Sequence, residues 1–294
     1  YHESFMSEYD DWKQENDRWE AYLYPTGVLR NKLGITKAAK WHKMERGFVA
    51  ARNADLQPRT GLTTGNVGEE LFAVHQYLFQ DCYDWAGQPR NVWMFKGETT
   101  FAGPNDIIPM LEEVNTDIAE FDWDNDDIEA DDLKHYINAA KLGDIHAKLN
   151  LIHPFREGNG RATRIAMSRL AYDHGIDLDI SKIEDEYRDF VAISEMTITD
   201  HGLDPWPMQA LYMNITTPLD TTPQSPQSPV SIINEDTQQP TPRTRNRPRM
   251  ARGLIQPDNT HLIRNPHNNH PTPETQPTTS QPDFITNPNP EPEL

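Results

Sequence analysis

His153-Pro154-Phe155-Arg156-Glu157-Gly158-Asn159-Gly160-Arg161-Ala162-Thr163-Arg164 crowds a base, an acid, two glycines around an amide and two spaced arginines into one short segment. None of these polar groups helps a core, so the segment asks for a chemical explanation. Its surroundings set the local fold. From Leu133 to Ile152 apolar residues recur at Leu142, Ile145, Leu149 and Ile152, the stripe of a buried helix. Pro154 disfavours helical geometry at His153, so that helix stops there. Gly158 and Gly160 break the chain, and a second helix runs from Arg161 to His174, closed by Gly175. The segment is therefore a loop joining two helices, with the second helix starting inside it.

A helix start presents unpaired backbone N–H groups and a positive dipole end. Gly158 and Gly160 leave that backbone open to a ligand, which makes an anion cradle. Arg161 and Arg164, three apart, leave one face of the first turn, and two guanidinium forks suit a polyphosphate. Glu157 is a hard oxygen ligand and Asn159 a neutral one, fitting a metal that keeps most of its water. His153 can take a proton from a hydroxyl near neutral pH. Base, metal ligand and phosphate clamps together describe phosphoryl or nucleotidyl transfer. The Gly-Lys-Ser/Thr of a Walker loop is absent. Gly-Asn-Gly alone is a common turn. At roughly 5% per residue type, however, eight specified positions in order arise by chance in far fewer than one chain in a million.

Working outward, helical patterns cover Trp12–Trp19, Lys37–Arg52 (with Thr36 as N-cap), Val67–Phe79, Ile107–Phe121, Ile183–Met196 and Pro205–Ile215. Asn91 to Phe101 differs: two short β-prone pieces flank Lys96-Gly97-Glu98, which reads as a hairpin with a free edge. From Thr217 onward the chain turns to Pro, Thr, Gln and Asn, and holds 16 of the 24 prolines. That stretch has too little apolar surface to offset its ordering entropy, so it is expected to be disordered. Its PxxP repeat, Pro223 to Pro229, and its spaced arginines, Arg243 to Arg252, read first as a linker and second as an adaptor ligand or secretion signal.

The formal charge is −19, of which the tail carries only −2 (6 Arg against 8 Asp and Glu). So acidic a surface argues against general nucleic-acid binding. Glu112 to Asp132 contains no Lys or Arg and reads as a solvated face rather than a docking surface. Cys82 is the only cysteine and is expected as a buried, reduced thiol. No apolar run reaches the ~20 residues of a membrane helix, and no charged-then-apolar leader opens the chain. The expected setting is cytoplasmic, with translocation as an effector as the alternative. The opening Tyr1 suggests that a segment precedes it.

The segment resembles the signature of the Fic/DOC family, His-x-Phe-x-Asp/Glu-Gly-Asn-Gly-Arg-x-x-Arg, at every specified position. Tyr83-Asp84-Trp85-Ala86-Gly87-Gln88-Pro89-Arg90 with the Lys96-Gly97 hairpin and Phe101-Ala102 looks like the family's flap region. Tyr22 to Pro25 and Val28 to Ile35 look like its N-terminal part. The resemblance implies an all-α Fic domain over 15–216 with one β-hairpin flap, after an extension over 1–14 and before the disordered tail over 217–294. It implies AMPylation: transfer of AMP from ATP to a protein hydroxyl with release of pyrophosphate. His153 would be the base and Phe155 a loop anchor. Glu157 would hold Mg2+. Gly158, Asn159 and Gly160 would line the cradle, with Asn159 on the α-phosphate, while Arg161 and Arg164 would hold the β- and γ-phosphates. The flap (Val92, Trp93, Met94, Phe95, Lys96 and Gly97) would pair with an extended segment of the target protein. Trp93 and Phe95 read equally well as core packing.

Gly160 argues against the phosphoryl-transferring subtype, which carries Lys there. The base of the nucleotide stays open, so another nucleotide monophosphate is one alternative; an interaction protein with a decayed core is another. Many relatives carry an inhibitory Ser/Thr-x-x-x-Glu-Gly/Asn helix that pairs with the second motif arginine. Ser4, Thr116 and Ser231 have Glu four residues on, but Tyr9, Phe121 and Asp236 follow, so none completes it. A separate small antitoxin, a preceding segment or an uninhibited enzyme would each explain this, and the N-terminal similarity favours the antitoxin.

Overall fold

The structure, a computed structural model, describes residues 13–56, 60–96, 99–179, 182, 193–194, 197–199 and 202–219. Helix α1 covers residues 13–21. Then come α2 (Ala38–Ala54), α3 (Val67–Phe79), the hairpin strands β1 (Phe95–Lys96) and β2 (Thr99–Thr100), α4 (Ile107–Glu120), α5 (Asp131–Ile152) and α6 (Asn159–Asp173). The chain closes through β3 (Ile176–Leu178), β4 (Ile198–Thr199), β5 (Gly202–Leu203), α7 (Trp206–Ile215) and β6 (Thr216–Pro218).

The mostly helical fold with a hairpin matches the expectation, and α3 matches residue for residue. Asn66 caps α3 by accepting the Glu69 N–H at 2.9 Å, while Leu71, Val74 and Leu78 are buried. The α2 start is a correction: Lys37 is its N-cap and gives no side-chain bond, while the Thr36 carbonyl instead accepts the Thr26 hydroxyl at 2.9 Å. Two further ladders were not predicted, β3 with β6 and β4 with β5. Strands of two or three residues are too short to show a period of two; tertiary pairing makes them. Thr217 and Pro218, just past the expected boundary at 216, belong to β6, and the Leu219 N–H bonds the Gly175 carbonyl at 2.8 Å. The 1–12 extension, the Gly97-Glu98 turn, nearly all of Ile183–Met196 and the tail from 220 lie outside the described residues.

Helix α5 is the axis of the core. Its predicted stripe is buried throughout, and it lies against α4, α6 and α7. Gly143 permits the closest approach, since a Cβ there would sit 2.5 Å from the Gln209 Cα of α7. Gly143→Ala should therefore lower unfolding free energy by about 1–3 kcal/mol, read as a lower urea midpoint; an unchanged midpoint would mean that α7 yields without cost. The acidic run behaves as a solvated face, and its Asp117 ties α4 to α5 through Lys141 and Lys148, both at 2.6 Å. Cys82 is fully buried, and burial pushes its thiol up to about 12. Among the described residues no helix is long and apolar enough to cross a membrane.

Candidate active site

His153 is the C-cap of α5 and sits in the left-handed region, φ 47° and ψ 61°. Its ring stacks on Phe101 at 3.9 Å and 16°, behind the hairpin. The residue is partly exposed while its Nδ1 atom is buried. Burial, with the neighbouring Arg90 cation adding to it, pushes the imidazole down to about 3. A neutral ring is what a general base requires.

The loop after His153 is braced from within. Asn159 accepts the Phe155 N–H at 2.8 Å and donates to the Phe155 carbonyl at 2.7 Å. These two bonds fix the orientation of the carboxamide and use one of its two Nδ2 hydrogens; the second Nδ2–H and the backbone N–H are what it can offer a ligand. At φ 85° the missing Cβ of Gly158 would fall 2.3 Å from the Phe79 ring, so glycine is needed there for backbone conformation and packing whatever approaches the loop. Gly160 is exposed, and the nearest obstacle to a Cβ there is Arg164 Nη1 at 3.3 Å. No side chain caps α6, so the N–H groups of Asn159, Gly160 and Arg161 have no acceptor within the helix.

Glu157 uses Oε1 on the Gly158 N–H (2.9 Å) and on Arg161 (3.3 Å), while Oε2 accepts nothing among the described residues. No cluster of three or more metal-binding side chains exists among the described residues. One carboxylate oxygen fits a cation such as Mg2+ that is held mainly by water and phosphate. Arg161 and Arg164 do not share one environment as their spacing suggested. Arg161 lies over Phe79 and pairs with Glu45 at 2.7 Å. Burial would lower it, but Glu45 and Glu157 more than offset this and raise it. Arg164 stands by Gly160, and its charge reaches His146 and Tyr212.

Val92 and Met94 are fully buried, and Trp93 is 38% exposed with its ring edge toward Gly103. Trp93 is therefore not a core residue. Phe95 and Lys96 are partly exposed. The Phe101 N–H bonds the Met94 carbonyl, so alternation puts the backbone groups of Trp93 and Phe95 on the outer edge. That edge is shorter than expected. Arg90 holds the Val92 carbonyl at 2.6 Å, and Glu15 of α1 accepts the Trp93 N–H at 2.7 Å.

Several supports were missed in the sequence. His75 accepts the Gly87 N–H at Nδ1 (2.9 Å), so Nε2 carries the proton to the Glu157 carbonyl (2.9 Å); burial pushes the ring down to about 3. It also stacks on Phe155 at 3.7 Å. Glu45 takes the Tyr83 hydroxyl at 2.7 Å besides pairing with Arg161. Arg156, the variable motif position, is buried over the Trp19 ring at 4.4 Å. A readable signal existed for two of these: Glu45 interrupts the buried stripe Trp41, Glu45, Val49, and His75 interrupts that of α3.

Residues 68–171 match the profile of the Fic/DOC family. The chain is 31% identical over 164 residues to the "Probable protein adenylyltransferase Fic" of Salmonella typhimurium, covering 53% of this chain and 74% of that protein. It is 31% identical over 159 residues to the protein adenylyltransferase VbhT of Bartonella schoenbuchensis; there the match spans 54% of this chain but only 32% of the relative. Among solved structures, the BepC effector of Bartonella tribocorum with bound AMPPNP aligns at TM-score 0.53 and 25% identity, over 68% of this chain and 97% of that one.

Proposed function

Because this chain belongs to the Fic/DOC family, we propose that it is a protein adenylyltransferase, moving AMP from ATP to a Ser, Thr or Tyr hydroxyl of a protein. The observation that carries this reading is a partly exposed His153 one short loop away from the uncapped start of α6. His153 Nε2 takes the hydroxyl proton as the hydroxyl oxygen bonds to the α-phosphorus. The bond from that phosphorus to the β-phosphate bridging oxygen breaks, and pyrophosphate leaves. The backbone N–H groups of Asn159, Gly160 and Arg161 and the Arg161 and Arg164 guanidiniums hold the phosphates. Glu157 would hold Mg2+, which would neutralise charge on the phosphates. His75 steadies the Glu157 backbone, and Glu45 steadies Arg161.

The target would lie as an added strand along the outer edge, pairing with the Trp93 carbonyl and the Phe95 backbone groups. A small helical inhibitor engaging Arg164 completes the proposal, and copurification of such a protein would support it. The central test is label transfer in a lysate. Label should reach protein from α-labelled ATP with Mg2+, and none should arrive from γ-labelled ATP. Label from the γ position would mean kinase-like transfer, and none from any nucleotide would favour an interaction protein.

A further inference from the structure

Arg90 is 2% exposed and has no ion-pair partner among the described residues. Four carbonyls surround its guanidinium instead. Nε donates to His153 (2.8 Å), Nη1 to Val92 (2.6 Å), and Nη2 to Ala102 (2.6 Å) and Ile152 (3.1 Å). Two of these carbonyls end α5, where the helix dipole is negative, and two flank the hairpin. The Arg90 backbone N–H also bonds the Pro154 carbonyl at 2.8 Å, so Arg90 brackets the His153–Pro154 peptide from both sides.

That bracket matters because His153 is unfavourably placed. A residue with a Cβ rarely adopts φ 47°, and the following proline pushes its predecessor toward extended geometry. The hairpin is tied to the same point: the Ala102 N–H bonds the Leu151 carbonyl at 3.0 Å, and Phe101 carries the imidazole on its face. We propose that Arg90 is a positioning residue for the transfer reaction, holding His153 in its left-handed conformation and fixing the hairpin root to the same carbonyl cluster. The aim of the base and the seat of the target-docking hairpin are thereby set by one side chain. The inference rests on the reading of His153 as the base. Lysine cannot replace arginine here, because an ammonium lacks the planar fork that reaches four separate carbonyls.

The test compares wild type, Arg90→Lys, Arg90→Gln and His153→Ala. Three quantities are measured: Mg2+-ATP affinity by calorimetry, AMP-label transfer in lysate, and the His153 ring resonance, assigned by its loss in His153→Ala. Both Arg90 variants should bind Mg2+-ATP within about threefold of wild type. Their transfer should fall by about 10²-fold, and the ring resonance should lose the shift caused by Phe101. Transfer within about threefold of wild type would overturn the proposal. So would a parallel loss of nucleotide binding, which would make Arg90 merely structural. If Arg90→Lys does not fold, pairing it with His153→Gly should restore a cooperative melting transition, because glycine takes that φ without strain; no recovery would overturn the proposal. Transfer surviving in His153→Ala would remove the premise, and the proposal with it.

Discussion

Replacing His153 with alanine should cut AMP transfer by about 10²- to 10⁴-fold, the usual worth of a positioned base. Nucleotide affinity should be nearly unchanged, because in the proposed function the phosphates would rest on the α6 start and the two arginines and not on the imidazole. The ring contributes only where a proton leaves the attacking hydroxyl, so kcat should fall with little change in KM for ATP. Helix α5 ends before the ring, and the loop brace from Asn159 to Phe155 does not involve it. The variant should therefore fold. Equal losses in ATP affinity and transfer would point to a collapsed loop instead. Transfer retained at wild-type rate would remove His153 from the chemistry.

Acidification should destabilise the fold steeply between pH 6.5 and 5. His75, His146 and His153 are each held down to about 3, burial being the main cause in every case. His146 lies beneath α7, its Nδ1 2.6 Å from the Tyr212 hydroxyl, and the Arg164 charge adds to its depression. In the unfolded chain these rings titrate near 6.5, so below that pH the unfolded state binds protons that the folded state refuses. Their contribution is fully present above pH 6.5 and is lost as pH falls toward 3. At pH 5 each ring costs about 2 kcal/mol relative to pH 8. The carboxylates Glu70 and Asp117 are depressed despite the burial that works against it, by Arg169 and by Lys141 and Lys148 respectively. They release their stabilisation only below their own unfolded values near 4, outside this window. Urea midpoints measured from pH 8 to 5 separate the two sources, and a flat profile down to pH 5 would contradict the histidine account.

Legibility in the sequence followed the range of the interaction. Helix α3 could be read to both ends because its cap and stripe are local. The stop of α5 at His153 was equally plain, since a proline acts on the residue before it. The Thr36 cap failed because the helix begins one residue later, with Lys37 at its N-cap. In the motif, residue types predicted the chemistry better than they predicted individual duties. Asn159 braces the loop and Gly158 makes room for the Phe79 ring, duties that no linear pattern shows.

The sequence by itself determined that two helices meet at a loop carrying a base, an acid and two arginines, and hence which chemistry the loop can support. These are effects of neighbours within about one helical turn. The tertiary structure alone decided how the groups are held: Arg90 on the carbonyls of His153 and the hairpin, His75 under Glu157, and Glu45 against Arg161. The Arg90–His153, His75–Glu157 and Glu45–Arg161 contacts join residues dozens of positions apart. They form only when packing removes water and leaves a buried donor or charge no other partner.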